Sequence, residues 1–384
     1  MVSIKKKIMN TKSTPILWIA PNLNHYKRRF LARLDEKSDF EVNIFSGSSP
    51  ISEGHRDARV MDNLQITTVD VSKKYFAFHP NVFLSLVNLL LKKPFSIIML
   101  PCERKHYPLL LWLVVLRLFF DFRLITYTHP VMRSTVSRKP LSKDIRRTKF
   151  IFRFFDEVIF YSKSAMDWAI EQRLIEKCRA HFANNTVDTD LIWSLYEYDI
   201  NDKRPIRIIF IGRLTKSKRL KDLIRCTTAV RKVFKDLELV IIGDGPERAY
   251  IKYCVSQYDW VRWLGALVEE KDIAVQMNLA HAVFVPGWSG LSIVHSFAYG
   301  KPYFTFDQPH STEIAYLSDD INGLLLRGNS ADNAKRIVSV FSNPEKYEMM
   351  CNNALLTANE MSVGNWCLQV TEALSKTLRR PADG

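Results

Sequence analysis

The sequence lacks the run of about 20 uninterrupted apolar residues that a membrane-spanning helix needs. Its six cysteines (Cys102, Cys178, Cys226, Cys254, Cys351 and Cys367) are scattered without a C-x-x-C pair, so neither a zinc cage nor a disulfide framework is indicated. There is no H-E-x-x-H, no Walker loop and no G-x-S-x-G, so zinc protease, P-loop and serine hydrolase readings lack their chemistry. The opening MVSIKKKIMNTKSTPILWIAP has only a short apolar run that stops at Pro21; it reads as a tail and a first strand, not a signal peptide, and a cytoplasmic address is expected. With 47% hydrophobic and 25% charged residues the composition is that of a globular protein, which excludes disorder, collagen and coiled coil. A length of 384 residues fits two domains.

Charge is uneven. Residues 1–195 hold 31 Lys and Arg against 18 Asp and Glu, nearly all of the formal net charge of +15. A solvated basic face accounts for this, as does an anionic partner: a membrane surface, nucleic acid or a phosphorylated substrate. No nucleic-acid recognition motif accompanies the charge. An anionic membrane surface is favoured because Phe83–Leu91 and Leu109–Phe120 are strongly apolar. The second has Arg117 as its only charge, where a helix on a sheet needs a polar outer side.

Short, nearly continuous apolar runs alternate with helical stretches. Strands are expected at Ile16–Ala20, Glu41–Ser46, Ser96–Leu100, Leu124–Thr128 and Val158–Tyr161. A second series follows at Ile206–Ile211, Leu237–Ile242, Val261–Leu264, Ala282–Val285 and Pro302–Thr305. Helices are expected at Arg28–Leu34, Val82–Leu91, Pro108–Phe120 and Lys163–Leu174. This alternation predicts an α/β fold with two doubly wound parallel sheets facing across a cleft. The domains fall at 1–195, basic, and at 205–365, with a C-terminal helix at 366–384 packing back toward the first domain.

In IIFIGRLTKSKRLKDL a strand runs through a glycine turn into a cationic loop that carries Arg213, Lys216, Lys218 and Arg219. Fixed cations and backbone N–H groups at such a turn can hold a diphosphate. LVIIGDGP is a weak dinucleotide fingerprint, because its third glycine is missing. VRWLG follows, and then VFVPGWSGLSIVHSFAYGKP, where a glycine turn opens a helix in a second anion-binding design.

In this order and spacing, residues 205–330 resemble the family 4 glycosyltransferases, retaining enzymes of the two-Rossmann-domain GT-B fold. The first half is similar more loosely, through ILWIAPNLNHYKRRFLARL, YTHP and ANNTVDTDLI. The resemblance implies transfer of a sugar from a nucleotide-diphosphate sugar to an acceptor hydroxyl without a metal or other cofactor. It implies that Arg213 and Lys218 act on the donor diphosphate, with His129 facing the donor sugar. Donor contacts are implied at Gly212, Leu264, Gly265, Gly290, Leu291 and Ser292, and acceptor contacts at Asn24, Tyr26 and Lys27. The acceptor it suggests is a lipid-linked or glycan intermediate of a bacterial surface polysaccharide such as lipopolysaccharide, at the inner face of the membrane.

One departure stands out. The family usually carries two glutamates eight positions apart, and here those positions read Gly287 and His295. An imidazole can still hold ribose hydroxyls, but glycine cannot replace a carboxylate on the sugar. In FDQPHSTEIAYL, Glu313 is the expected substitute; its alternative role is a carboxylate at a helix N-terminus. Asp188-Thr189-Asp190 has the D-x-D form of a metal site but sits in the pre-hinge loop of the resemblance. A nucleotide-sugar epimerase and a catalytically silent membrane-bound subunit of the same fold are the alternatives.

Overall fold

The computed structural model describes residues 14–21, 23, 25–48, 64–72, 74–131, 142–197 and 205–380, without the side chains of residues 25 and 26. The first half runs β1 (Thr14–Ala20), α1 (His25–Lys37), β2 (Phe40–Ser48), β3 (Gln65–Ser72), α2 (Pro80–Lys92), β4 (Ile97–Met99), α3 (Tyr107–Leu116) and β5 (Arg123–Thr128). It continues with α4 (Ser142–Phe152), β6 (Glu157–Phe160), α5 (Lys163–Glu171), β7 (Ala180–Phe182) and α6 (Thr189–Leu195). The second half comprises β8 (Arg207–Ile211), α7 (Leu220–Arg231), β9 (Glu238–Ile242), α8 (Arg248–Gln257), β10 (Val261–Trp263) and α9 (Glu270–Asn278). It ends with β11 (Ala282–Phe284), α10 (Ser292–Ala298), β12 (Tyr303–Phe306), β13 (Gly323–Leu326), α11 (Ser330–Phe341), α12 (Pro344–Glu360) and α13 (Val363–Arg379).

The sheets are parallel, ordered β3-β2-β1-β4-β5-β6-β7 and β10-β9-β8-β11-β12-β13. Their central strands are buried on both faces, which is why they read as unbroken apolar runs. Strand order reverses between β1 and β4 in one sheet and between β8 and β11 in the other. The loops that diverge there leave a crevice at the carboxyl ends of the strands.

On one face of the first sheet α2 and α3 pack over Leu17, Ile98 and Phe160. On the other, α1 meets α13, the last helix of the chain. Trp366 of α13 lies 4.7 Å from Phe30, ring to ring, and its Nε1 donates to Tyr127 Oη at 3.2 Å. The return helix thus ties the chain's end to the first domain and starts at Val363, three residues before the expected position. Asp188 caps α6 by accepting from Leu191 N and faces Arg33, while Asp190 pairs with Lys37 at 2.8 Å. Both D-x-D carboxylates are therefore engaged in joining α6 to α1.

Helix α3 buries Leu109, Leu110, Leu113 and Leu116 and leaves Leu111, Trp112 and Val115 on its outer side. Just beyond it Leu118 and Phe119 are 79% and 76% exposed, and Leu84 and Leu91 of neighbouring α2 are also exposed. Among the described residues no helix is long and apolar enough to cross a membrane.

Candidate active site

The floor of the second domain's crevice is made by the tips of three adjacent strands. Gly243 packs so tightly against the end of β8 that a Cβ there would lie 1.9 Å from Gly212 O, and its N–H donates to Gly265 O at 2.7 Å. Gly212, Gly243 and Gly265 thus sit side by side, with Leu264 held to β9 through its bond to Ile241 O. Lys218 lies above them. A Cβ on Gly212 would be 3.7 Å from its ammonium.

Two loops then zip together across the switch point. Gly287 N donates to Lys218 O (3.1 Å) and Trp288 N to Ser217 O (2.8 Å). A Cβ on Gly287 would fall 2.0 Å from Ser217 O and 2.5 Å from Lys218 C. The glycine where the resembling family usually has its first glutamate is therefore a packing requirement, since backbone fills the space where a side chain would begin. Lys218 Nζ donates to Trp288 O at 2.5 Å, and burial brings its pKa down to about 8, opposed by the Glu313 carboxylate. His310 and Ser311 grip the other side: Ser289 N donates to His310 Nδ1 (3.1 Å), and Ser311 Oγ donates to Ser289 O (3.0 Å). With the loop held at these points, the N–H groups of Gly290, Leu291 and Ser292 have no hydrogen-bond partner among the described residues. Arg213 and Lys216 are exposed on the loop that carries Lys218. Arg219 bends away to Asp222 (2.7 Å) and Gln308 (3.1 Å).

Glu313 is 3% exposed in a turn of 3-10 helix at Thr312–Tyr316. Its Oε1 accepts from Asn185 Nδ2 of the first domain at 2.5 Å, and its Oε2 is buried with no hydrogen-bond partner. His129, at the end of β5, packs edge-on against Tyr161, the ring centroids 4.5 Å apart. It lines an interdomain cavity of about 590 Å³ with Glu103, Lys105, Trp288, His310 and Thr312. Of the expected acceptor residues, Lys27 lines a smaller adjoining hollow of about 160 Å³ together with Leu291, and burial lowers its pKa. Asn24 and the side chain of Tyr26 lie outside the described residues.

His295 departs from expectation. It is 4% exposed, and its Nε2 meets Glu270 Oε1 at 2.7 Å inside a cluster that also holds Tyr299 Oη at 2.9 Å and Arg29 of α1 at 4.0 Å. Burial works against the Glu270 carboxylate, but the imidazole, the tyrosine and the guanidinium outweigh it and hold its pKa below the usual range. An imidazole spent on a buried carboxylate does not form the open wall that a ribose would need. Neither Glu270 nor Asn185 stands out in the sequence, because each acquires its role from a partner 25 or 128 residues away.

Two parallel sheets flanked by helices and facing across a crevice define a two-domain α/β protein of GT-B architecture, with a partly buried cation, unpaired N–H groups and a buried carboxylate gathered at the switch point of the second sheet. Residues 197–356 match the family described as Glycosyl transferases group 1. An uncharacterized glycosyltransferase of Methanocaldococcus jannaschii is 24% identical over 216 residues, 54% of each chain. The chain spans about half the length of the curated relatives it matches, or less. Among solved structures, the pneumococcal O-GlcNAc transferase GtfA in complex with UDP and GlcNAc superposes with a TM-score of 0.71 at 11% identity, covering 96% of this chain and 99% of that one. Anabaena HepE in complex with UDP gives 0.69 at 17% identity, covering 94% and 100%. The structural likenesses establish the fold, and the family match supports a glycosyltransferase.

Proposed function

We propose that the protein transfers a glycosyl group from a nucleotide-diphosphate sugar to an acceptor hydroxyl, with retention of configuration and without a metal, in the manner of family 4. The reading is carried by the turn Gly290–Ser292, whose three unpaired N–H groups adjoin the loop pinned to Lys218. The leaving diphosphate gains negative charge as the glycosidic bond breaks. Lys218, Arg213 and the N–H groups would stabilise that charge as preorganised donors, the role metal ions fill elsewhere. The neighbours solved with UDP favour a nucleotide-bound donor. His129 and Glu313 would face the sugar, and the cavity beside His129 would admit the acceptor. Replacing Lys218 or Arg213 with Ala should cost roughly 2–4 kcal/mol of transition-state stabilisation, about 10²–10³ in rate, with EDTA without effect on the wild type. Wild-type turnover in both variants at saturating donor would refute the assignment.

The acceptor we propose is a lipid-linked or glycan intermediate in surface-polysaccharide assembly, reached from the inner face of an anionic membrane. The outer side of α3 supports this reading: Leu111, Trp112, Val115, Leu118 and Phe119 lie exposed in the basic domain, with Arg117 adjoining them in the chain. An interfacial helix presents such a surface to a bilayer. Two basic clusters of the first half, Lys5–Lys7 and Lys27–Arg29, do not add to this support. Lys5–Lys7 lie outside the described residues, and in Lys27–Arg29 the guanidinium of Arg29 is turned to Glu269 and Glu270.

A further inference from the structure

Glu313 sits on the second domain, yet the group that fixes it belongs to the first. Asn185 Nδ2 donates to its Oε1 at 2.5 Å. Asn185 is itself anchored, its own N–H donating to Tyr161 O at 2.9 Å. The same Tyr161 carbonyl accepts from Tyr316 Oη at 2.9 Å, and Tyr316 closes the 3-10 turn that carries Glu313. Two hydrogen bonds therefore cross the domain boundary to one short turn, and both converge on Tyr161, whose ring packs against His129. The remaining carboxylate oxygen, Oε2, is buried and has no hydrogen-bond partner among the described residues. A buried carboxylate oxygen without a donor is costly, and a carboxylate accepts on both oxygens. One oxygen spent on a fixed amide and the other buried without a donor is an arrangement suited to a ligand hydroxyl.

We infer that Asn185 is the positioning residue for Glu313: it holds the carboxylate across the closed cleft so that Oε2 accepts from a hydroxyl of the donor sugar, and sugar choice depends on both residues. This rests on the proposed function of the site. It assigns a role to a residue that would otherwise belong to the hinge. Because the bond spans both domains, the orientation of the carboxylate depends on how the two domains meet.

The test uses the full-length protein with UDP-, GDP- and ADP-hexoses, comparing wild type with Asn185→Ala, Asn185→Asp, Glu313→Gln and the Asn185→Ala/Glu313→Gln double variant. Donor kcat and KM, the ratio of kcat/KM between two hexoses on one nucleotide, nucleoside diphosphate affinity and melting temperature are read for each. Asn185→Ala should lower kcat roughly 10²-fold, the scale for a misplaced reacting group, with nucleoside diphosphate affinity unchanged. It should shift the hexose ratio in the same direction as Glu313→Gln, and the double variant should be no worse than Glu313→Gln alone, as coupled residues behave. Asn185→Asp keeps the side chain's shape but loses the donor, so it should match the alanine variant if the protein stays folded. An unchanged hexose ratio in both Asn185 variants, with only the melting temperature lowered, would overturn the inference and leave the donor-site reading standing. A wild type that neither binds nor turns over any nucleotide sugar would overturn both.

Discussion

Gly287→Ala is the substitution for which the structure gives the most explicit steric account. The added methyl would lie 2.0 Å from Ser217 O and 2.5 Å from both Lys218 C and Lys218 Cα. All three neighbours are backbone, so no side-chain rotation relieves the overlap. The loops must part, and parting breaks the bonds Gly287 N to Lys218 O and Trp288 N to Ser217 O. Each of the two bonds is worth about 0.5–1.5 kcal/mol net, and overpacking adds about 1–3 kcal/mol, so a loss of roughly 2–6 kcal/mol is expected. At about 2–4 °C per kcal/mol for a domain of this size, the melting temperature should fall by roughly 4–24 °C. The same parting displaces Lys218, whose Nζ is bonded to Trp288 O, so donor turnover should fall with stability. Gly287→Glu should behave alike, although the resembling family carries glutamate there. Calorimetric melting and donor turnover at saturating nucleotide sugar are the assays. A Gly287→Ala protein with wild-type melting temperature and turnover would show that the two loops are not locked together as described.

Lys218 binds an anion only as an ammonium, and burial brings its pKa to about 8. Donor kcat/KM, which reports the free protein, should therefore be full below pH 8 and fall as pH rises through it, while Lys218→Arg should abolish that limb because guanidinium stays charged. A flat profile from pH 7 to 9 in the wild type would remove Lys218 from the diphosphate site. His295→Ala strips a partner from the buried Glu270, so destabilisation on the order of 3 kcal/mol is expected, read as a lower denaturant midpoint. A selective rise in donor KM at unchanged stability would restore the ribose role. Vesicles rich in anionic lipid should sediment the protein at low salt and release it at high salt, and Leu118→Ser/Phe119→Ser should weaken binding. Equal retention on neutral vesicles would dissociate the basic domain from the membrane reading.

Much of the architecture is legible in the sequence because buried parallel strands carry their signal locally. Leu237–Ile242 and Ile206–Ile211 each coincide with a strand to within a residue. The strands that escape are those without that signal. β3, QITTVDVS, is an edge strand with several exposed positions, β7 is three residues long, and β13 is a four-residue GLLL that begins with glycine. The expected helix Lys163–Leu174 stops at Glu171, because Arg173 takes φ +53° and Leu174 N turns back to Ala169 O. In the site, Lys218 and the turn at Gly290 are readable because each belongs to a short local run, a strand that ends in a glycine turn. The Gly287 and His295 departures are visible in sequence, but their reasons are not. One lies in a backbone some 70 residues earlier and the other in the carboxylate of α9. Asn185 is invisible for the same reason: its partner belongs to the other domain.

Incubation of the purified protein with a panel of nucleotide sugars, followed by NMR of the donor and its products, separates the three activities this fold accommodates. A glycosyltransferase should release nucleoside diphosphate slowly by hydrolysis, faster when a suitable acceptor hydroxyl is present, and leave the configuration of unreacted donor unchanged. That is the predicted result, with release suppressed roughly 10²–10³-fold in Lys218→Ala. Epimerised donor without release of nucleotide would establish an epimerase instead. Neither release nor binding of any nucleotide sugar would contradict catalysis at this site.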